Sequence, residues 1–115
     1  MSLPQALHLL GTGIVLGIGL FALLRPEAFA RATGLSTLTD LGVSEIRARF
    51  GGSLAGVALF AAWVDDDLVY AALGACFLGA VAARWIDLVR GTRDRGIWLG
   101  LFFDAAIAIL LLFPA

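Results

Sequence analysis

The chain has no lysine, one cysteine and one histidine, and only 15% of its 115 residues are charged. A single cysteine excludes an intramolecular disulfide and a thiolate metal cluster. The lone His8 has no metal-ligating residue near it in the sequence, so we expect it at a membrane interface and predict no metal site. Ordinary soluble domains have about 25% charged residues, whereas 61% of this chain is hydrophobic. The shortage of charge therefore indicates that most of the chain is surrounded by lipid.

The sequence also lacks the motifs of common catalytic sites. It has no phosphate-binding P-loop, no Gly-x-Ser-x-Gly sequence, no histidine cluster and no spacing typical of paired metals. No catalytic residue and no cofactor is therefore predicted from a motif, and we expect no nucleic-acid partner. An enzymatic function would depend on isolated carboxylates alone.

Four apolar blocks occupy nearly the whole chain, and each has about 15 to 20 residues, the length that crosses about 30 Å of hydrocarbon. They predict an all-α fold, in which residues 1–115 form one integral membrane four-helix bundle. The spans are expected at about residues 6–24, 44–64, 68–89 and 97–113. Between the first two, Pro26 and Gly34 bracket a short helix that is expected to lie along the membrane interface, with Phe29 directed into lipid.

The distribution of the arginines predicts the orientation of the chain. All eight basic residues are arginines, and they fall only in residues 25–49 and 84–95, whereas the connection at residues 65–67 is purely acidic. Short connections rich in arginine stay on the cytoplasmic side of a membrane. We therefore expect both basic connections in the cytoplasm, both termini outside, and a location in the bacterial inner (plasma) membrane.

Small residues predict where helices pack. Gly13 and Gly17 are four positions apart in the first span, a spacing that lets another helix approach closely. We expect them to support a homodimer or docking on a larger membrane complex. The glycines predicted to serve helix packing are Gly13, Gly17, Gly51, Gly52, Gly56 and Gly100.

The second span begins with three charged residues. Glu45, Arg49, Gly52 and Gly56 recur at intervals of four, three and four, so on a straight α-helix they share one face. Its two glycines predict that this face presses against other helices, with Glu45 and Arg49 as an i, i+4 ion pair. Arg47 is turned away from this face. The alternative is that these charges extend to the lipid headgroups.

Two further charges are predicted to lie at a common depth. Arg84 is about five residues from the end of span three and Asp104 about seven residues inside span four, so each lies roughly 8 to 10 Å below the same boundary. A charge at mid-membrane depth costs about 2.5 to 3.5 kcal/mol on insertion scales, which favours pairing. We predict a polar or ligand-binding cluster of Glu45, Arg47, Arg49, Arg84, Asp87 and Asp104.

The run Glu45-x-Arg47-Ala48-x-Phe50-Gly51-Gly52, together with Arg84 and Asp104, resembles the small bacterial four-helix membrane proteins of domain of unknown function 4345. The resemblance covers nearly the whole chain and implies the fold, but it implies no activity. Members often have Tyr where Phe50 stands and Glu where Asp104 stands. The match favours Arg47 as the functional arginine, whereas the helical face favours Arg49, and the two alternatives stay open.

Three functional hypotheses follow from these residues. The first is binding or transport of a small amphipathic or anionic ligand, such as a lipid, quinone or organic acid, at the cluster of arginines and Asp104. The second is an accessory or scaffold subunit of a larger membrane assembly, in which the charges only fix the register of the helices. The third is a membrane enzyme that uses Asp104 or Glu45 as a general acid or base.

Overall fold

The computed structural model describes residues 1–36, 39–92 and 94–114, and this part of the chain is helical without a strand. The all-α prediction is therefore confirmed. A π-helical segment, Ile46–Gly52, lies between the third and fourth α-helices. The α-helices are α1 (Leu3–Leu24), α2 (Pro26–Thr33), α3 (Asp40–Glu45), α4 (Ser53–Val64), α5 (Asp67–Val89) and α6 (Arg95–Leu112).

Three of these helices, α1, α5 and α6, are long and apolar enough to cross a membrane. The predicted span at residues 44–64 is instead divided between the π-helical segment and α4, whose 12 residues are fewer than the roughly 20 that cross a bilayer. The backbone stays in the right-handed helical region at Glu45, Ile46, Gly52 and Ser53. The helix is therefore continuous from α3 to α4, and a fourth span remains a prediction.

Local sequence signals set the helix ends. Pro26 is the first residue of α2, and Gly34 ends that helix in the left-handed conformation, with φ +77°. Asp66 caps α5 by accepting the Leu68 N–H at 2.8 Å, and Asp94 caps α6 in the same way. The short helix predicted between Pro26 and Gly34 is thus confirmed, while its position at a membrane interface stays a prediction.

The first helix is central to the packing. One side of α1 contacts α4 and the π-helical segment, and another side contacts α6, which lies along α5. Helices α4 and α5 touch only slightly. The Cα atoms extend over 44 × 33 × 16 Å, so the bundle is flat. This arrangement leaves a gap between the π-helical segment and α5 that α1 does not fill.

Two glycines allow the close approach of α1 to the second helical rod. A Cβ atom at Gly19 would lie 2.6 Å from the Ala55 backbone nitrogen, and one at Gly51 would lie 2.8 Å from the Leu23 backbone. Only hydrogen fits at these positions, because the neighbouring atoms are backbone. Gly13 and Gly17, in contrast, have no atom of the described residues within 4 Å of such a Cβ. They therefore do not serve packing within one chain.

Within the described part of the chain, the predicted packing face of the second span is not the face that contacts other helices. Gly52 and Gly56 are exposed, and no atom of the described residues lies within 4 Å of a Cβ built at Gly56. The π-helical segment forms i→i+5 turns, so α-helical spacing does not carry through residues 46–52. The buried residues of this rod are Ile46, then five positions later Gly51, and then Ala55, Ala58 and Ala61.

The expectation that Phe29 enters lipid is also wrong. Phe29 is buried in a small cluster with Ala22, Ala30 and Ile46. Its ring lies 5.7 Å from the ring of Phe21 and packs against Phe50 in a similar way. The helix α2 therefore folds back against α1 and the π-helical segment, where its aromatic side chain is covered by protein.

Candidate functional site

The centre of the candidate site is an ion pair between α5 and α6. The Arg84 Nε atom donates to Asp104 Oδ2 at 2.7 Å, a short charge-assisted bond. The Asp104 side chain is 11% exposed and that of Arg84 is 39% exposed. The contact predicted from helix depth is therefore present, and the arginine remains the more accessible partner.

A glycine makes room for this pair. Gly100 lies one helical turn before Asp104 on α6, and a Cβ atom at Gly100 would overlap the guanidinium group of Arg84. The packing role of Gly100 is therefore to leave space for the Arg84 side chain, which passes over the glycine to reach the Asp104 carboxylate. Any larger residue at this position would push the guanidinium away from Asp104.

A cleft opens beside the ion pair, in the gap between the π-helical segment and α5, and has a volume of about 580 Å³. Apolar side chains, five of them phenylalanines, form most of its wall, and the charged groups in its wall are Arg49, Arg84 and Asp104. Mainly apolar walls with a few polar groups are typical of small-molecule sites. The lining residues are Ile18, Phe21, Phe29, Thr33, Leu35, Arg49, Phe50, Leu54, Cys76, Phe77, Ala80, Arg84, Phe103 and Asp104.

The π-helical segment supplies the second arginine of the cleft. Arg49 lines it together with its neighbour Phe50, whereas Arg47 does not. Arg49 Nε also donates to Glu45 Oε2 at 3.3 Å, and both of these side chains are exposed. The sequence left open whether Arg47 or Arg49 is the arginine that faces the interior, and in the structure Arg49 lines the cleft.

The π-helical segment that carries Arg49 is itself unusual, because it has seven residues. Such π-turns are frequent at functional sites.

The structure brings only part of the predicted cluster together. Arg49, Arg84 and Asp104 share the cleft, while Glu45 contacts it only through Arg49. Arg47 and Asp87 are exposed and do not line the cleft. Arg93, which belongs to the second basic connection, lies outside the described residues.

A second polar cluster, at the opposite end of the bundle, was missed by sequence reasoning. His8 is buried, with 2% of its surface exposed, and its Nε2 atom lies 2.7 Å from the Phe113 carbonyl oxygen. A carbonyl oxygen only accepts, so Nε2 is the donor. The other ring nitrogen lies 3.7 Å from Asp67 Oδ1, and the ring packs against Tyr70.

Asp65 completes this second polar cluster, the outer cluster, whose members are Gln5, His8, Asp65, Asp67, Tyr70 and the Phe113 carbonyl group. Tyr70 donates its hydroxyl hydrogen to Asp65 Oδ1 at 2.7 Å, and Gln5 donates to Asp65 Oδ2 at 3.2 Å. The bonds join the start of α1, the 65–67 connection and the chain end after α6. His8 had seemed isolated because its partners are distant in sequence, Phe113 by 105 positions. The predicted topology could have indicated these partners of His8, because an even number of spans brings both termini to the same side as the acidic connection.

The charged groups of the site are two arginines and one carboxylate. Within the described residues no group of three or more His, Cys, Asp or Glu side chains could hold a metal ion. Asp104 is already engaged by Arg84, and the single Cys76 lies at the exposed, apolar end of the cleft. Each arginine uses its Nε–H for a carboxylate, which leaves the terminal amino groups as donors toward a further acceptor.

Comparisons of the chain with protein-family models, with curated proteins and with solved structures find no match. The resemblance to domain of unknown function 4345 therefore stays a prediction from the residues that carry it. The functional argument depends on the geometry of the cleft alone.

Proposed function

We propose that the protein is a small multi-pass membrane protein that binds, or carries, a small amphipathic anion in the cleft between the π-helical segment and α5. The observation that carries the proposal is the open cleft of about 580 Å³ beside the Arg84–Asp104 pair. An ion pair that only fixes the register of two helices needs no open space beside it. This pair instead forms part of the wall of a ligand-sized space.

The cleft matches an amphipathic anion in two respects. The terminal amino groups of Arg49 and Arg84 would bind the anionic head, because a guanidinium group presents planar donors that suit carboxylate or phosphate oxygens. Asp104 would fix the orientation of Arg84. The phenylalanine-rich remainder of the wall would hold an apolar body, and removal of that body from water would supply most of the binding free energy.

The proposal includes the placement of the chain in the membrane. Helices α1, α5 and α6, with the continuous rod from α3 to α4 as a fourth span, would cross the bacterial inner membrane with both termini outside. The supporting observation is the restriction of all eight arginines to residues 25–49 and 84–95. Arg49 and Arg84 would then face the cytoplasmic leaflet.

We also propose membership of domain of unknown function 4345, supported by the run Glu45 to Gly52 on the π-helical segment.

The binding proposal is tested with a matched pair of arginine variants. Purified protein in neutral detergent is incubated with dodecanoate, dodecyl sulfonate or dodecyl phosphate, and the retained molecules are measured by native mass spectrometry. Arg49→Gln removes a charge from the cleft, whereas Arg47→Gln removes one from the same segment outside the cleft. We expect retention of at least one anion, and we expect Arg49→Gln to weaken it about tenfold or more. Equal retention by both variants, or none by the wild type, would contradict the proposal.

One observation favours a second function, association with another membrane chain. Gly13 and Gly17 are exposed on α1, and the space above them is open. A homodimer or a larger complex would use this surface for close helix contact. The enzyme hypothesis has less support, because Asp104 is engaged by Arg84 and Glu45 lies outside the cleft.

A further inference from the structure

The charge of the cleft wall restricts what the cleft can hold. Arg49 and Arg84 each contribute one positive charge and Asp104 contributes one negative charge, so the wall has one positive charge in excess. Glu45 pairs with Arg49 from outside the cleft, where its side chain is 56% exposed to the surroundings. The Arg49 side chain is itself 74% exposed, and exposed ion pairs are weak, so Arg49 stays available to an anionic head in the cleft. A head with a single negative charge balances the wall, whereas a neutral quinone leaves the excess and a doubly charged phosphate monoester reverses it.

The shape of the cleft restricts the apolar body. Three residues of α5 that line it, Cys76, Ala80 and Arg84, follow one another at intervals of four and therefore form a stripe along one face. Eight residues of α-helix extend about 12 Å, so the stripe runs about 12 Å from the arginine to the cysteine. Ala80, at its midpoint, leaves room for a chain to pass. Cys76 is exposed, so the apolar end opens at the outer surface of the bundle.

We propose, on the basis of the function proposed above, that the occupant is a single-tailed amphiphile with a singly charged carboxylate head, of the fatty-acid type. Its head binds the terminal amino groups of Arg49 and Arg84, and its tail lies along α5 past Ala80 toward Cys76. A planar carboxylate suits a guanidinium group that offers two parallel donors.

The test uses a dodecanoate that carries a photoreactive diazirine at its tail end, with the protein reconstituted in phosphatidylcholine vesicles. After illumination the labelled residues are mapped by mass spectrometry. We expect labelling at Cys76 or Phe77, and about tenfold less labelling with the corresponding dodecanol probe, which lacks the charge. An excess of unlabelled dodecanoate should compete better than dodecyl phosphate.

Two alanine variants on α5 test the path of the tail. Ala80→Leu fills the midpoint of the stripe, whereas Ala82→Leu adds the same volume at an exposed position that does not line the cleft. We expect Ala80→Leu to reduce the labelling about tenfold and Ala82→Leu to leave it unchanged. Retention of the short anion butanoate by Ala80→Leu, measured by native mass spectrometry, checks that the head site of this variant is intact.

The outcomes separate the two proposals. If dodecyl phosphate competes as well as dodecanoate, or if the label maps away from Cys76 and Phe77, while binding still depends on Arg49, the function stands and the fatty-acid assignment is wrong. If the dodecanol probe labels as strongly as the carboxylate, the charge argument fails. If no anionic amphiphile binds, both proposals fail together.

Discussion

Removal of Arg84 is expected to destabilise the protein more than neutralisation of Asp104, although the two side chains share one bond. In Arg84→Met the Asp104 carboxylate, with 11% of its side chain exposed, loses its partner. Loss of one partner from a buried pair costs about 3 to 5 kcal/mol, and we expect the lower end, about 3 kcal/mol, because the cleft is adjacent. In Asp104→Asn the arginine is 39% exposed and can turn into the cleft. The amide oxygen still accepts, so we expect a cost of about 1 to 2 kcal/mol.

The double variant Arg84→Met with Asp104→Asn contains no uncompensated charge. We expect it to lose no more than Arg84→Met alone, which corresponds to a coupling free energy of about 1 to 2 kcal/mol between the two residues. Reversible unfolding in mixed detergent micelles, followed by circular dichroism, measures the four free energies of unfolding. As a control, Arg90→Met combined with Asp104→Asn should give additive costs, because Arg90 is exposed at the end of α5.

Two results would refute the reasoning. Additive losses in Arg84→Met and Asp104→Asn would mean that the bond at 2.7 Å makes no net contribution. A larger loss in Asp104→Asn than in Arg84→Met would mean that the arginine, rather than the carboxylate, is the more enclosed partner.

Three further changes test the packing, the outer cluster and association. Gly19→Ala should lower the free energy of unfolding by about 1 to 3 kcal/mol, because its Cβ would overlap the Ala55 backbone. Gly17→Ala, the control, should be neutral or slightly stabilising. Equal effects of the two changes in thermal unfolding would be inconsistent with the described approach of α1 and α4. Tyr70→Phe removes a hydrogen bond to the Asp65 carboxylate and should lower the free energy of unfolding by about 1.5 to 3 kcal/mol in the same assay. An unchanged free energy of unfolding would show that the outer cluster adds no stability. Leucine at both Gly13 and Gly17 should reduce chemical cross-linking between chains in detergent while leaving the melting temperature unchanged; unaltered cross-linking would remove these glycines from any interface.

Straight α-helices were the part of the fold that the sequence predicted well. The depths of Arg84 and Asp104 were estimated from a rise of about 1.5 Å per residue, and both residues lie within regular helices, so their contact followed. Regular α-helical spacing did not predict the buried face at residues 46–52, because this segment has π-helical turns and Gly51 is buried instead of Gly52. Nothing in the residue types of that run distinguishes i→i+5 from i→i+4 bonding.

The remaining misses were contacts between distant parts of the chain. Phe29 was assigned to lipid because the short helix α2 was treated alone, whereas Phe21 and Phe50 cover its ring in the folded chain. His8 was treated as unpartnered because Phe113 and Asp67 are far from it in sequence. The cleft itself also depends on the separation between the π-helical segment and α5, which helical periodicity does not reveal.

The central claim, that the cleft holds a ligand, is tested most directly by an experimental structure of the protein in lipid. The account predicts elongated non-protein density between the π-helical segment and α5 that begins within hydrogen-bond distance of Arg84 or Arg49 and passes Ala80. A cleft closed by its phenylalanine side chains, with Arg84 and Asp104 sealed from any space, would contradict it.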